Sequence, residues 1–191
     1  MQCVIPTEKE LSMAIGESRT KADTGIGAGT RAATYALKIE AQTNGTIKGD
    51  IPKSWKDAAD QIEILTWNHA IKSPRDVQSG LPTGKRIHSQ LEVVGRACKA
   101  CPILFTIITT NELCKKVTLT CWSQAKAGQG QTVAVFYTVE LKNANVAEFE
   151  QITEDSDGTL FFRMTFTYEE ITYTWKDGGI TGNDTWEVTQ K

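Results

Sequence analysis

The sequence predicts a mainly β protein, built as a closed antiparallel β-barrel, and two observations carry this prediction. Apolar residues alternate with polar ones at a period of two through most of the chain after residue 34. The face on which the apolar residues lie changes at two places, and such a change requires a bulge or a bend. Strands that bend in this way suit a barrel, because closure leaves no exposed sheet edge.

Six apolar runs justify the strands in chain order. The runs begin at Tyr35, Ile62, Val117, Val133, Phe162 and Ile171. The clearest alternation is found in Val133, Val135, Tyr137, Val139 and Leu141. The two changes of face fall between Ile64 and Leu65 and between Tyr168 and Ile171. We expect the chain to bulge or bend at both places.

A long polar loop, residues 72–88, separates two of these runs. Pro74, Gly80, Pro82 and Gly84 exclude a regular helix or a central strand there. Four basic residues against one acid give the loop a net charge of +3 without His88. Hairpin loops usually span about two to five residues, and a loop this long in a compact domain is usually functional or disordered. The apolar residues and the net positive charge of this loop favour its interpretation as a binding arm.

The same region carries a family resemblance. From Trp67 to Arg86 the sequence follows the pattern W-x-x-x-[IV]-x-x-P-R-D-x-x-S-G-x-x-T-G-K-R. This pattern resembles the Hcp family, the tube protein of the bacterial type VI secretion system. Residues 35–40, 136–144 and 166–182 are similar to further strands and the tail of that family, in the same order. The resemblance covers roughly residues 34–187.

The resemblance implies a helix and an assembly. Residues 102–111 place four apolar side chains on one helical face, but Ile and Thr there are β-branched, so periodicity alone leaves the helix open. In the family a helix caps the barrel. The resemblance also implies hexameric rings that stack into a hollow tube, a contractile sheath and spike that propel it, and effector proteins in the lumen. Such a protein is not an enzyme.

We expect the loop at 72–88 to reach a neighbouring subunit or ring. The residues expected at this interface are Arg75, Asp76, Ser79, Gly80, Thr83, Gly84, Lys85 and Arg86. The two glycines would provide backbone angles that other residues avoid. Residues 148–157 contain five acids and no base, and they are one candidate receiver. Unlike charges on one chain favour head-to-tail contacts, which close into rings or extend into filaments.

Residues 1–33 form an N-terminal extension that the resemblance does not reach. They combine four acids and four bases with few large apolar side chains, and residues 25–30 have the composition of a hinge. An ordered arm, a disordered leader and a true start at Met13 all fit the sequence. We expect residues 34–191 to form the tube domain.

Charge and hydropathy exclude two classes of partner. The net charge of −2 disfavours nucleic acid. No stretch approaches the ~20 apolar residues of a membrane-spanning helix. Glu8, Lys9 and Glu10 interrupt any cleavable signal. We therefore expect assembly in the cytoplasm, then secretion without a cleaved signal peptide, and no nucleic acid or membrane partner.

The five cysteines, an odd number, argue against a complete disulfide framework. Cys98 and Cys101 have the C-x-x-C spacing, and Cys114 and Cys121 would complete a zinc set. Cys121 lies in a period-two strand, and no second thioredoxin hallmark accompanies the pair. We expect inert thiols and no metal. A small redox or zinc protein is the alternative from another class; the tail tube of a phage or phage-like injection particle is the alternative tube.

Catalytic motifs find little support in the sequence. The hydrolase pattern G-x-S-x-G is missing. Residues 80–86 differ from a phosphate loop, because three residues rather than four separate the glycines and Arg86 replaces the required Ser or Thr. We expect His69 to face packing or a subunit neighbour and His88 to be solvated. No catalytic residue and no cofactor are predicted.

Overall fold

Alternating apolar residues form strands throughout the part of the chain that the computed structural model describes, residues 34–53, 58–123, 134–153 and 158–185. The strands are β1 (Thr34–Ala41), β2 (Gly45–Thr46), β3 (Ile62–Ile64), β4 (Thr66–Asn68), β5 (Ile71–Lys72), β6 (Ile87–His88), β7 (Leu91–Arg96), β8 (Cys114–Ser123), β9 (Ala134–Thr153), β10 (Leu160–Thr167), β11 (Glu170–Trp175) and β12 (Ile180–Thr185). A helix, α1 (Cys101–Thr109), follows β7, and a 3₁₀ turn (Asp177–Gly179) precedes β12. Within these ranges the prediction of a mainly β fold with one helix is confirmed. The predictions for residues 1–33 lie outside the described residues.

The strands pair antiparallel in the order β2-β1-β8-β9-β10-β7-β4, and β5 pairs only with β6. The long strand β9 joins two parts of this sheet. Its first part pairs with β8 and β11, whereas its second part pairs with β10. Between the two parts, Asn143 has a φ of 48°. Register shifts lie at Thr165/Phe166 and Cys121/Trp122, two places other than those at which the sequence predicts a change of face.

The inward faces of these strands build one large apolar core. Leu37, Leu119, Leu141 and Phe162 are fully buried in it. Leu104 and Ile107 of α1 belong to the same cluster, so the helix packs on the sheet. Each such side chain contributes about 1.5–3 kcal/mol through burial. The core therefore stabilises the domain that carries the exposed loop.

The helix begins one residue before the predicted range and ends at Thr109. Pro102 lies in its first turn, where a missing N–H costs nothing. Packing of the apolar face of the helix in the core overrides the poor helix propensity of the β-branched residues, and threonine hydroxyls bond back to carbonyls of the preceding turn. The Thr106 hydroxyl donates to the Pro102 carbonyl at 3.1 Å, and the Thr110 hydroxyl donates to the Thr106 carbonyl at 2.8 Å. Among the described residues, no helix has the length and apolarity that crossing a bilayer requires.

A closed barrel is not confirmed, because the strand ladder is interrupted at Leu65. β3 pairs with β1, β4 pairs with β7, and Leu65 lies between them with 41% of its surface exposed. This is the first predicted change of face. The second, after Tyr168, is a turn between β10 and β11, so it joins two strands rather than bending one. A Cβ atom on Gly95 would lie 2.6 Å from the Glu63 carbonyl oxygen, so β7 and β3 come very close together.

Candidate functional site

The loop at 72–88, which we call the arm, is an extended hairpin. Its ends pair as β5 and β6 through Ile71 with His88 and Lys72 with Ile87. Further out, Arg75 and Pro82 form an isolated bridge, and the Thr83 N–H donates to the Pro74 carbonyl at 3.0 Å. The arm is therefore an ordered structure, in spite of its prolines and glycines.

Asp76 organises the tip of the arm. Its Oδ1 accepts hydrogen bonds from the Ser79 N–H at 2.7 Å, the Gln78 N–H at 2.9 Å and the Ser79 hydroxyl at 2.9 Å. The Ser79 N–H is the largest cause that holds the pKa of Asp76 below its usual range. Gly80 adopts a φ of 68°, which favours glycine, and its N–H donates to the Asp76 carbonyl at 2.9 Å.

The other predicted interface residues have different positions on the arm. Arg75 Nη1 donates to the Gly80 carbonyl at 3.1 Å and so bonds within the tip. Gly84 has no left-handed φ, so the prediction that it provides a special backbone angle is wrong for this residue; a Cβ atom there would meet only Pro74, at 3.9 Å. Lys85 is exposed. The structure therefore brings Arg75, Asp76, Ser79 and Gly80 together and leaves Lys85 at the surface.

Arg86 ties the base of the arm to the last strand of the sheet. Its Nε and Nη2 donate to the two carboxylate oxygens of Asp184, in β12, as a two-point ion pair. His88 Nε2 lies 2.8 Å from Asp184 Oδ2. The Arg86 guanidinium, followed by the His88 hydrogen bond, lowers the pKa of Asp184 to about 2. Arg86 thus binds within its own chain.

A row of hydrogen-bonded side chains, two histidines and two tyrosines, leads from Asp184 into the domain. His88 Nδ1 lies 3.1 Å from the Tyr168 hydroxyl, which lies 2.6 Å from His69 Nε2. His69 Nδ1 contacts the Tyr173 hydroxyl. The side chain of His88 is only 5% exposed, so the prediction that it is solvated is wrong. His69 packs against both tyrosine rings, which agrees with the packing role expected for it.

Burial shifts the titration of this group of side chains. Desolvation, followed by the neighbouring His88, lowers the pKa of His69. Desolvation raises the pKa of Tyr173 to about 12, with a smaller effect of Tyr137. The pKa of Tyr168 is also raised by burial. Near neutral pH both tyrosines therefore keep their protons and act as hydrogen-bond donors or acceptors.

Part of the acidic stretch 148–157 has partners inside the chain. Glu148 and Glu150, on β9, lie 3.4 Å and 2.9 Å from Arg163 Nη2 on β10. Glu154, Asp155 and Asp157 lie outside the described residues. Pairing between this stretch and the arm of another copy remains a prediction.

The C-x-x-C pair lies where β7 gives way to α1. The Cys98 N–H donates to Cys101 Sγ at 3.4 Å. Burial raises the pKa of Cys98 to about 11, and it raises those of Cys114 and Cys121 to the same value. A redox thiol needs a lowered pKa, so these environments oppose a redox centre. In the part of the chain that is described, no group of three or more His, Cys, Asp or Glu is placed to hold a metal.

Sequence reasoning missed the group of His69, His88, Tyr168, Tyr173 and Asp184. Its members lie on separate elements, and partners such as His69 and Tyr173 are 104 residues apart. Period-two alternation places each residue on a face but gives no register between distant strands. The single available signal was that both histidines flank the arm.

The described residues therefore define a mainly β domain with one helix and an exposed hairpin that is closed by its own hydrogen bonds. The chain belongs to the Hcp family of the type VI secretion system. The family model described as type VI secretion system effector, Hcp, matches residues 37–175. The major exported protein of Pseudomonas aeruginosa is 32% identical over 133 residues, which cover 66% of this chain and 76% of that protein.

Solved structures agree on the fold. The Hcp1 protein of an enteroaggregative E. coli strain is 24% identical, with a TM-score of 0.71 over 82% of this chain and 100% of its own. A crystal structure of an Hcp protein gives a TM-score of 0.74 at 24% identity, over 81% and 100% of the two chains. The secreted protein Hcp3 of Pseudomonas aeruginosa gives 0.66 at 21% identity, over 82% and 99%.

Proposed function

We propose that this chain is a structural tube subunit, which forms hexameric rings that stack into a hollow, secreted tube. The observation that carries the proposal is the state of the arm. All residues from 71 to 87 are exposed except Pro74, which is half-buried, yet the hairpin is folded by its own hydrogen bonds. A preformed segment loses little conformational entropy when it binds, which favours a contact with another molecule.

The arm offers two kinds of contact to a neighbouring subunit or ring. Val77 and Leu81 at the tip are 100% and 64% exposed, so they provide apolar surface. Lys72, Arg75 and Lys85 provide positive charge along the hairpin. Apolar contact contributes affinity, whereas charge sets register and association rate. Both belong to the interface that we propose for residues 75–86.

Closure of the barrel is part of the proposal. Leu65 alone separates β3, which pairs with β1, from β4, which pairs with β7. The close approach of β7 and β3 at Gly95 supports one bent strand that joins the two sides of the sheet. A closed wall of this kind suits a subunit that lines a lumen. We assign this domain to residues 34–191 and the extension to residues 1–33.

The partners follow from the proposed tube. They are further copies of this chain, a contractile sheath and spike, and effector proteins that the lumen carries. The name of the related Pseudomonas aeruginosa protein, major exported protein, supports secretion of this chain. The family match favours a type VI system over a phage-like particle.

Light scattering and negative-stain electron microscopy of the purified chain test the proposal. We expect the mass of a ring and images of rings or stacked rings at tens of micromolar, roughly, because weak interfaces dissociate below their Kd. A monomer throughout that concentration range would contradict the tube proposal.

A matched pair of charge changes tests the arm. Lys85→Glu reverses a charge on the arm, and Lys48→Glu reverses a charge on an exposed residue elsewhere on the domain. We expect Lys85→Glu, but not Lys48→Glu, to weaken ring closure or stacking. The loss is about 0–1 kcal/mol per contact where the residue that Lys85 meets on the other subunit is exposed. Sedimentation velocity reports assembly, and circular dichroism reports the fold. Equal assembly of both variants and the parent would mean that the arm is a passive loop.

A further inference from the structure

The carboxylate of Asp184 is a point at which the base of the arm contacts the rest of the domain. Asp184 of β12 accepts two hydrogen bonds from Arg86 and lies 2.8 Å from His88 Nε2. Its Oδ1 also accepts from the Thr185 N–H at 2.9 Å. Beside it, the Ser89 N–H donates to the Ala70 carbonyl at 2.8 Å, which closes the hairpin itself. Asp184 therefore links the arm to a different part of the chain.

The hydrogen-bond partners determine which atoms carry protons in the side chains that follow Asp184 in this row. An ionised carboxylate only accepts, so His88 Nε2 carries a hydrogen and donates to it. With both histidines neutral, His88 Nδ1 accepts from the Tyr168 hydroxyl, Tyr168 accepts from His69 Nε2–H, and His69 Nδ1 accepts from the Tyr173 hydroxyl. Every bond then runs in one direction, from Tyr173 towards Asp184.

This chain of bonds accommodates one extra proton but not two. A proton on His88 Nδ1 reverses the three bonds between His88 and Tyr173, whereas His88 Nε2 still donates to Asp184, so each of the four contacts still joins a donor to an acceptor. A second proton, on His69, places N–H donors on both sides of the Tyr168 hydroxyl, so its own hydrogen loses its acceptor. The two ring centroids are 5.6 Å apart, so two imidazolium ions would also repel each other.

We propose that Asp184 positions the arm and that the group of His69, Tyr168, His88 and Tyr173 releases the base of the arm from the domain when the medium becomes acidic. The consequence for ring contacts rests on the tube function proposed above, whereas the release itself does not. The groups that face His69 are Tyr173 on β11, Tyr168 after β10 and His88 on β6. Tyr137 lies beside Tyr173, and Arg86 faces Asp184.

The direction of the pH effect follows from the shifts. Burial lowers the pKa of His69, so the anchored form binds fewer protons than a released form in which His69 is hydrated. Anchoring is therefore complete above the ordinary histidine pKa of about 6.5 and weakens as the pH falls below it. Asp184, with a pKa of about 2, stays ionised over this range and is not the group that titrates.

Hydrogen–deuterium exchange of the full chain tests the proposal, at about pH 7.5 and pH 5, either side of the ordinary histidine pKa of about 6.5. After correction for intrinsic rates, we expect peptides that contain residues 71–72 and 86–89 to exchange about fivefold faster or more at the lower pH. Asp184→Asn should exchange faster at both pH values, and His69→Gln should remove the pH dependence. Asp177→Asn, an exposed acid before β12, is the control and should behave as the parent.

Two results would overturn the proposal. One is parental exchange at the arm base in Asp184→Asn at the higher pH, and the other is an unchanged pH dependence in His69→Gln. If Asp184→Asn does not fold, Arg86→Gln removes the same ion pair from the exposed side and should have the same effect. Sedimentation of the same samples separates the two proposals. A parent that never assembles contradicts the tube function, while the exchange data still decide the role of Asp184.

Discussion

Asp76 shows how the residues of the Trp67–Arg86 pattern act mainly on the shape of the arm. Three donors from Gln78 and Ser79 converge on one carboxylate oxygen, and Gly80 supplies the left-handed angle that closes the turn. Asp side chains commonly mimic a backbone turn in this way. The pattern therefore fixes the geometry in which Val77, Leu81 and Lys85 are presented.

We predict that Asp76→Ala loosens the tip of the arm without affecting the domain. Trypsin should cut after Arg75 faster than in the parent, whereas the thermal midpoint should stay the same because the tip is exposed. The pKa of Asp76 is lowered, so the turn is stable above the ordinary aspartate value of 3.8 and weakens as the pH falls below it. Asp76→Asn keeps the oxygen acceptor and should resist cleavage better than the alanine variant. Equal cleavage of the parent and Asp76→Ala would contradict this role.

A second prediction at this scale concerns Cys98. Burial raises its pKa from 9.0 to about 11, so at neutral pH it holds about a hundredfold less thiolate than an ordinary cysteine. Alkylation by iodoacetamide should be slow at neutral pH and accelerate towards pH 11. Mass spectrometry of the peptide that contains Cys98 measures the rate, with the urea-unfolded chain as the control. Fast labelling of the folded chain at neutral pH would indicate a reactive thiol.

At the scale of elements, strands β7 and β3 can approach closely because Gly95 has no side chain. A Cβ atom on Gly95 would lie 2.6 Å from the Glu63 carbonyl oxygen and 2.8 Å from two carbons of the Phe162 ring. Phe162 is fully buried, so the ring has little room to move. The interruption at Leu65 thus lies two residues from Glu63, where β3 and β7 approach each other closely.

We predict that Gly95→Ala destabilises the domain by about 1–3 kcal/mol, the usual cost of overpacking. Gly182→Ala on β12 is the control, because a Cβ atom there would meet nothing within 4 Å. Urea unfolding followed by tryptophan fluorescence measures the free energy of unfolding of both variants. Similar values for the two variants would show that β3 moves away from β7 easily.

At the scale of the whole molecule, the domain presents charge on the arm and pairs other charges internally. Glu148 and Glu150 pair with Arg163, and Arg86 pairs with Asp184. Exposed ion pairs are weakened by salt, because the Debye length falls from about 10 Å at 0.1 M to about 3 Å at 1 M. The charges that remain for contacts between copies are thus sensitive to ionic strength.

We predict that assembly weakens as salt rises to about 1 M, where the Debye length is about 3 Å. Sedimentation velocity should show smaller species at high salt, and circular dichroism should show an unchanged fold. If assembly does not depend on salt, the arm binds through Val77 and Leu81 rather than through charge. The double variant Val77→Ser with Leu81→Ser would then be expected to dissociate the assembly.

The sequence was sufficient for the features that depend on local patterns. Period-two alternation located most of the long strands, although no predicted run covered β7, and the first change of face coincides with the break at Leu65. The helix required the resemblance, because its poor propensity is overridden by packing of its apolar face in the core, which a local pattern does not show. The environment of His88 could not be predicted, since its partners Tyr168 and Asp184 lie 80 and 96 residues away. Contacts at that separation depend on the register of the whole sheet.

The ion pair between Arg86 and Asp184 has a consequence for the order of events during synthesis. The two residues are 98 positions apart, so the ribosome translates the arm long before its anchor. At about 5–20 residues per second, the delay is roughly 5–20 s. During that interval a nascent chain has an arm without its fixed attachment. In the proposed tube, any contact that depends on the anchored arm would therefore form only after residue 184 has been synthesised.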